Sequence, residues 1–356
     1  MTRWTKIGGA VLAGALAAST AACGSGGTGT ASGGEQVTVR FADTLPESHF
    51  ISKDFSQRFI ETAEGLAEGE GHQLEIDFYP DGQLGDPPDQ IDNMRNGVFD
   101  MALVAPSYGP DQMPAGDVFN LPFMADTAEE IALAYYDQMQ DSESTIYQRD
   151  FDQNAIEPLA AFALPLYQMA MTSEITGIDS IRGKKIRSGG GAQNDIIKAL
   201  GGSPVTLTTA EQYEGLQRGI IDGGIFNTPS MIDNKTGEVL KSFTTNAKLG
   251  GFDGGLAISQ EAWSGLPEWA QEILTEAGRD ATEHFAGMVD ELGEQANQTL
   301  VDEYGLTAME LPPNELERLQ AELTPVRDTW AESVQGRGVD GQQVLAEAEA
   351  AIESSE

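Results

Sequence analysis

A two-lobed α/β fold, with one long helix bridging the lobes, is what this 356-residue sequence predicts. Three observations carry the prediction. Strand and helix signatures alternate in two successive β-α-β runs of similar length. From Pro267 to Tyr304 the chain holds no further proline and keeps a helical apolar spacing, which at 1.5 Å per residue approaches about 50 Å and exceeds one small domain. The length itself suits two domains or one large one.

The first run opens with VTVRFAD (37–43), where Val37, Val39 and Phe41 alternate with other residues as in a strand. ISKDFSQRFIETAEGL then places Ile51, Phe55, Phe59 and Ala63 four apart on one helical face. HQLEIDFYP alternates Leu74, Ile76 and Phe78, the next strand. PPDQIDNMRNG begins with proline and ends with glycine, the polarity of a short helix. FDMALVAPS is almost continuously apolar, as in a strand covered on both faces. This order predicts a largely parallel sheet.

A helix at about 127–140 leads into the second run. PLAAFAL and YQMAM read as strands, with Pro158 and Pro165 marking bends where the chain crosses between units. KKIRS is a short strand, and AQNDIIKALGG a helix stopped by Gly201 and Gly202. SPVTL is a strand, TTAEQYEGLQRG a helix with Thr208 and Glu211 at capping-box spacing, and IIDGGIFN another strand. GGFDGGLAIS (250–259) is a further strand. In the long helix the apolar positions are Ile273, Leu274, Ala277, Ala281, Phe285, Met288, Val289 and Leu292, with Gly278, Gly287 and Gly293 as points of potential breakage. PNELERLQAELTPVRDTWAESV and QQVLAEAEAAIES end the chain as amphipathic helices.

The expected organisation is lobe I from 36–158 plus about 250–300 and lobe II from 159–249. The spanning helix covers about 267–304, and helices over 305–356 brace both lobes. Two such units describe a clamshell binding protein, with ligands at loops outside the strand C-termini, between the lobes.

Composition narrows the function. The chain has 57 acidic against 20 basic residues and a net charge of −37. Nucleic acid is excluded as a partner, because counterion release needs clustered Lys and Arg, and so is electrostatic adsorption to anionic lipid. The acidity reads as adaptation to a salty or extracellular medium. A hydrophobic content of 40% is ample for packed cores.

The first residues stand apart. MTRWTK is a basic n-region and IGGAVLAGALAAS an apolar h-region too short for a good membrane span. TAAC follows, with Cys23 the only cysteine. Small residues before a cysteine resemble a bacterial lipobox, which implies a signal peptide over 1–22 and an acylated Cys23. Thr20 stands where leucine is commonest, and an ordinary secretory cut near Ala22 is the alternative. GSGGTGTASGG (24–34) lies within a flexible tether over 23–35. One cysteine excludes an intrachain disulfide.

Catalytic patterns are sparse. His49, His72 and His284 are the three histidines, none beside a G-x-S-x-G, which is absent. No H-E-x-x-H, C-x-x-C or EF-hand spacing occurs, so neither an enzyme, a cofactor nor a metal is indicated. What invites chemistry is KKIRSGGGAQND (184–195), three cations followed by glycines. It reads either as a solvated loop or as a place where an anion approaches bare peptide N–H groups.

Ordered blocks then carry a resemblance. RFADTLPESH, FYPDGQLGD, MRNGVFDMALVAPSYGP and NLPF, followed by IRGKKIRSGGG, ALGGSPVTLTTAEQYEGLQRGIIDGG and LAISQEAWSGLPEWAQ, span about residues 36–330. Together they resemble the DctP-type substrate-binding proteins of TRAP (tripartite ATP-independent periplasmic) transporters. The resemblance implies a periplasmic-binding-protein-like clamshell, extracytoplasmic and here lipid-tethered. It would bind a small carboxylate without covalent chemistry and deliver it to TRAP membrane subunits. A receptor for an ABC permease or a sensor kinase, or a secreted enzyme on the same scaffold, are the alternatives.

The resemblance also implies site residues. Arg187, in the K-I-R position, would pair with the ligand carboxylate through a bidentate fork. Asn227 matches the position of a ligand-contacting amide, with Phe226 beside it. Ser107 and Tyr108 end the third strand, where first-lobe contacts arise. His49 lies in the first β-α loop, either facing the ligand or capping the next helix. Phe252 faces the cleft or packs in the core. Sialic-acid binders carry another arginine where this chain has LYQMAM, with Tyr167 and Gln168. That departure favours a monocarboxylate with an uncharged polar or apolar remainder.

Overall fold

The computed structural model describes residues 36–355; the expected signal peptide, the tether and Cys23 lie outside them. Three parallel strands begin the first sheet: β1 (Gln36–Ala42), β2 (Gln73–Tyr79) and β3 (Met101–Val104). Between them run α1 (Gln57–Glu70) and the short α2 (Gln90–Arg95). A π-helical turn over Ser52–Ser56 leads into α1, and the stripe of Ile51, Phe55, Phe59 and Ala63 is buried as its spacing predicts. Next come α3 (Ala128–Gln140), with a complete capping box at Thr127 and Glu130, and β4 (Ile156–Ala163).

The chain then enters a second sheet. In order, its elements are β5 (Gln168–Met171), β6 (Lys185–Ser188), α4 (Gly191–Ala199), β7 (Ser203–Thr206), α5 (Gln212–Gln217), β8 (Gly223–Phe226), α6 (Thr228–Asp233) and β9 (Ser242–Thr244). It returns through β10 (Asp253–Ser259), α7 (Gln260–Gly265) and the unbroken α8 (Glu268–Asp302). β11 (Thr307–Met309), α9 (Pro313–Gln335) and α10 (Gly341–Ser355) complete the described residues. The strand orders are β2-β1-β3-β10-β4 and β11-β9-β5-β8-β6-β7.

Three expectations need correction. Both sheets are mixed rather than largely parallel: β10 runs antiparallel to β3 and β4, and β5 antiparallel to β8 and β9. The cause is topological, because a strand that enters a sheet directly from the other lobe has no crossover helix to reverse it. Second, β4 carries the chain past the 158/159 boundary, and the passage between sheets falls at 164–167. Pro158 is tolerated inside β4 because β4 is an edge strand with a register shift opposite Leu256 and Ala257. Third, residues 305–356 are not wholly helical, since β11 pairs in parallel with β9.

Three passages join the sheets, one of them α8 between β10 and β11, and the other two hydrogen-bond to each other. Leu164 N donates to Phe252 O at 2.9 Å, Tyr167 N to Gly250 O at 3.0 Å, and Leu249 N to Tyr167 O at 2.8 Å. This antiparallel ribbon is the natural hinge. Behind it lies α8. Its first half packs on α1, α3 and β4, and its second half reaches α6 and β11. Thr228 Oγ1 donates to Gly293 O, and Leu300 joins Phe243 and Met231 in the second-lobe core.

None of the three helix glycines breaks α8, and two have opposite reasons to be there. At Gly278 a Cβ would collide with the Leu159 carbonyl, so the glycine lets α8 seat on the free edge of β4. At Gly287 a Cβ would meet nothing within 4 Å. Helix propensity alone favours alanine over glycine by about 1 kcal/mol. Gly287→Ala is therefore expected to raise the melting temperature slightly. Gly278→Ala should lower it by several degrees, because relieving the collision means lifting the helix off β4. Differential scanning fluorimetry of the two variants checks both signs.

Candidate functional site

A cavity of about 200 Å³ opens between the sheets, at the C-terminal ends of the parallel strands. The loop after β1 contributes Thr44, Leu45, His49 and Ile51, and the end of β3 contributes Val104, Ala105 and Tyr108. The hinge passages supply Phe162, Leu164, Tyr167 and Phe252. From the second lobe come Arg187, the Thr208–Gln212 turn, Phe226, Asn227 and Ser230. Five aromatic rings, Tyr108, Phe162, Tyr167, Phe226 and Phe252, share the lining with aliphatic and polar groups, among them Asp81 and Asp86 of the loop after β2. Phe252 lies 5.4 Å from Tyr108 edge-on and 6.2 Å from Tyr167 in near-parallel planes.

Arg187 is the most consequential of these. It leaves β6 into the cavity and is only 2% exposed. Its Nε donates to Leu207 O at 3.1 Å. The Gln212 amide, with its oxygen turned toward the guanidinium, accepts from Nε at 3.3 Å and from Nη2 at 2.9 Å. The guanidinium carbon sits 5.7 Å from the Phe226 ring centroid. All these partners are neutral, and no ion pair among the described residues includes Arg187. A buried cation held only by neutral groups carries a desolvation cost of several kcal/mol that an incoming anion would offset.

Around it stand further donors. Asn227 caps α6, its Oδ1 accepting from Ser230 N at 2.9 Å, and its side chain also hydrogen-bonds to the Tyr167 phenol. Burial pushes the Tyr167 phenol upward, with the Arg187 charge and the Asn227 side chain pulling the other way, so it stays a neutral donor. His49 Nδ1 accepts from Ile51 N at 3.3 Å, so the neutral ring carries its proton on Nε2. That Nε2 has no partner among the described residues, and burial lowers the imidazole to about 4. His49 is thus an uncharged donor at ordinary pH.

Of the eight expected ligand contacts, six line the cavity: Arg187, Asn227, Tyr108, His49, Phe226 and Phe252. Ser107 and Gln168 do not. Gln168 faces away because adjacent residues point to opposite sides of a strand, and Tyr167 takes the inward side. Its Oε1 accepts from Thr244 Oγ1 at 3.0 Å and from Ala247 N at 2.9 Å, tying β5 to the β9 end. Ser107 Oγ donates to Asp117 Oδ1 at 3.0 Å and accepts from Asn120 Nδ2 at 3.2 Å, inside the protein. The glycines of SGGG also lie outside the lining; Gly190 and Gly191 press against Ser107 O and the Asp117 carboxylate instead.

Sequence reasoning missed the donor role of Tyr167 and the part played by Gln212. The first was legible from alternation along YQMAM. The second was hidden, since Gln212 sits in a capped turn that reads as scaffold.

Fold and cavity together define a two-lobed receptor that encloses a small solute between hinged α/β halves. Residues 41–333 match the profile of the bacterial extracellular solute-binding proteins, family 7 (DctP), and the chain belongs to that family. It is 25% identical over 309 residues to the C4-dicarboxylate-binding periplasmic protein DctP of Rhodobacter capsulatus, covering 84% of this chain and 88% of that one. It is 23% identical over 320 residues to the ectoine-binding periplasmic protein TeaA of Halomonas elongata, covering 86% and 89%. Among solved structures, a TRAP solute-binding protein from Rhodoferax ferrireducens with copurified benzoate superposes with a TM-score of 0.80 at 22% identity, over 90% of this chain and 98% of that one. A marine-metagenome TRAP protein specific for aromatic acids, with 3-hydroxybenzoate, gives 0.82 at 23% identity over 90% and 99%.

Proposed function

We propose that this protein captures a small monocarboxylate with a flat, largely apolar remainder outside the cytoplasm and hands it to TRAP-type membrane subunits. One observation carries the reading: Arg187, buried and without a counter-ion among the described residues, faces a cavity walled by Phe162, Phe226, Phe252, Tyr108 and Tyr167. The free edge of the guanidinium suits a carboxylate, and the Asn227 amide and Tyr167 hydroxyl stand beside it. The aromatic walls suit a ring. The uncharged His49 Nε2–H favours one acceptor on the remainder without demanding a second charge. The relatives with benzoate and 3-hydroxybenzoate support this class, and among the described residues no second arginine lines the cavity, which speaks against a dicarboxylate.

The role is capture and release, with the solute recovered unchanged. Acylation of Cys23, which lies outside the described residues, would hold the receptor at the membrane through the 23–35 tether. Metabolic labelling with an alkynyl fatty acid, compared with Cys23→Ala, tests that anchor.

The ligand class is tested by thermal shift with benzoate, 3-hydroxybenzoate, mandelate, succinate and ectoine. A ligand at one hundred times its Kd stabilises the folded state by about 2.7 kcal/mol, a rise of several degrees. The aromatic monocarboxylates are expected to give the largest rises. A response to ectoine or succinate with none to the aromatic acids sinks the reading.

A further inference from the structure

We propose that Asp117 is a positioning residue of the binding site: a first-lobe carboxylate that clasps the second lobe at the glycine-opened start of α4 and sets how completely the cleft closes over Arg187. The anion that meets the glycines of KKIRSGGGAQND is therefore a side chain of the protein itself. This inference rests on the carboxylate reading only for the affinity part of its test.

The clasp is built from both sides. Asp117 follows β3 in a 3-10 turn, Gly116–Asn120, and is 4% exposed. Its Oδ1 accepts from Ser107 Oγ at 3.0 Å and Asn120 Nδ2 at 3.1 Å, both first-lobe groups that fix its orientation. Its Oδ2 reaches across and accepts from Ala192 N at 2.7 Å. Ala192 lies in the first turn of α4, where free N–H groups and the positive end of the helix dipole favour a carboxylate.

Glycine makes the approach feasible. Gly191 has φ +49 and its position leaves no room for a Cβ beside the Asp117 carboxylate. Gly190 has φ +111, and a Cβ there would come within 2.6 Å of Ser107 O. Any side chain at either position would push the lobes apart.

The contact reaches the site through a short, stapled loop. Gly189 N donates to Gln193 Oε1 at 2.8 Å and Ser188 Oγ to Asn194 Oδ1 at 2.5 Å, fastening the segment after Arg187 to the first turn of α4. Holding that turn therefore holds the end of β6 from which Arg187 projects. Other bonds also cross between lobes, among them Phe50 N to Asp233 Oδ2 at 2.9 Å, Tyr108 Oη with Thr209 Oγ1 at 3.3 Å and Lys248 Nζ to Asp126 Oδ1 at 3.1 Å, but the first two are only partly buried and the third is exposed.

The test measures lobe separation directly. Spin labels on cysteines at the exposed positions Gln83 and Gln217, one per lobe, in a Cys23→Ser background give the distance distribution of the ligand-free protein. Asp117→Asn is expected to move it to longer separations. It should also weaken benzoate binding about tenfold, the change that follows when the closed population falls by that factor. Should the asparagine variant not fold, Gly191→Ala perturbs the contact from the other side with the same readout. An unchanged distance distribution, even with a lowered melting temperature, overturns the proposal and leaves Asp117 a purely structural cap. A longer distance in a protein that binds no benzoate at all keeps the clasp and sinks the ligand reading instead.

Discussion

Arg187→Met is expected to raise the melting temperature of the ligand-free protein while weakening aromatic monocarboxylate binding by about 100-fold or more. The two signs have one cause. Arg187 is buried against Leu207 O, the Gln212 amide and the Phe226 ring, all neutral, so the charge is uncompensated until a carboxylate arrives. Even replacing a whole buried ion pair by apolar side chains of similar volume is often neutral or stabilising by about 1–4 kcal/mol, and here there is no partner charge whose attraction would be lost. Binding moves the other way. Each charged hydrogen bond lost costs about 1.5–3 kcal/mol, and two of them exceed the roughly 2.8 kcal/mol that separates affinities by a hundred. Arg187→Lys should rescue little, because an ammonium cannot offer the paired donors of a guanidinium. Calorimetric titration with benzoate and scanning fluorimetry read the two signs separately. A methionine variant that melts lower and binds as tightly as the parent removes Arg187 from the mechanism.

Stability should fall as pH rises from about 4 to 8. Burial raises Asp43 and Asp117 to about 6 and Asp150 to about 7, and pushes Asp253 well above the ordinary carboxylate range. Asp253 is the extreme case, with neither carboxylate oxygen partnered among the described residues and Asp117 and Asp150 adding like charge. A carboxyl whose folded value is raised favours folding in its protonated form. Its contribution is fully present below the unfolded value near 4 and is lost as pH climbs through 6 to 7. One pKa unit corresponds to about 1.4 kcal/mol, so ionising Asp43, Asp117 and Asp150 costs the fold on the order of 3 kcal/mol each. Self-repulsion at a net charge of −37 acts in the same direction. His49 acts the other way, because an imidazole lowered to about 4 by burial adds stability as pH rises from there toward its ordinary value of 6.5, but it is one group against four raised carboxyls. Melting curves at constant ionic strength should therefore show a net decline across this window, and Asp150→Asn should flatten part of it. A flat profile, or one that climbs toward pH 8, contradicts the assignment of these groups as buried acids.

How much of this was legible beforehand divides along physical lines. Periodicity exposed the elements that bury a stripe: Phe55 in the turn before α1, Phe59 and Ala63 on α1, and Ile273, Leu274, Ala277, Ala281, Phe285 and Val289 on α8 are buried where spacing placed them, whereas Met288 is only half-buried. Short elements with no stripe of their own escaped. β9 and β11 are three residues each and exist because they pair with strands distant in sequence. Strand direction escaped too, since it depends on which end of a sheet the chain enters. At the site, Arg187 announced itself as a cation in the wrong company, whereas Gln168 and Ser107 were named for their neighbourhood and turned away by alternation and by the Asp117 network. The glycines were read correctly as making room for an anion and incorrectly as to whose. Local sequence holds no trace of a carboxylate seventy residues earlier.

The continuity of α8 carries a constraint on how relatives can diverge. Each residue advances an α-helix by about 100°. A single insertion or deletion midway along Glu268–Asp302 would swivel the face that meets α6 and Phe243 against the face that meets α1 and β4. The helix thus acts as a keyed shaft with a fixed phase between its two ends. Length changes are tolerable only in steps near whole turns, and variation in loop size must be found elsewhere in the chain.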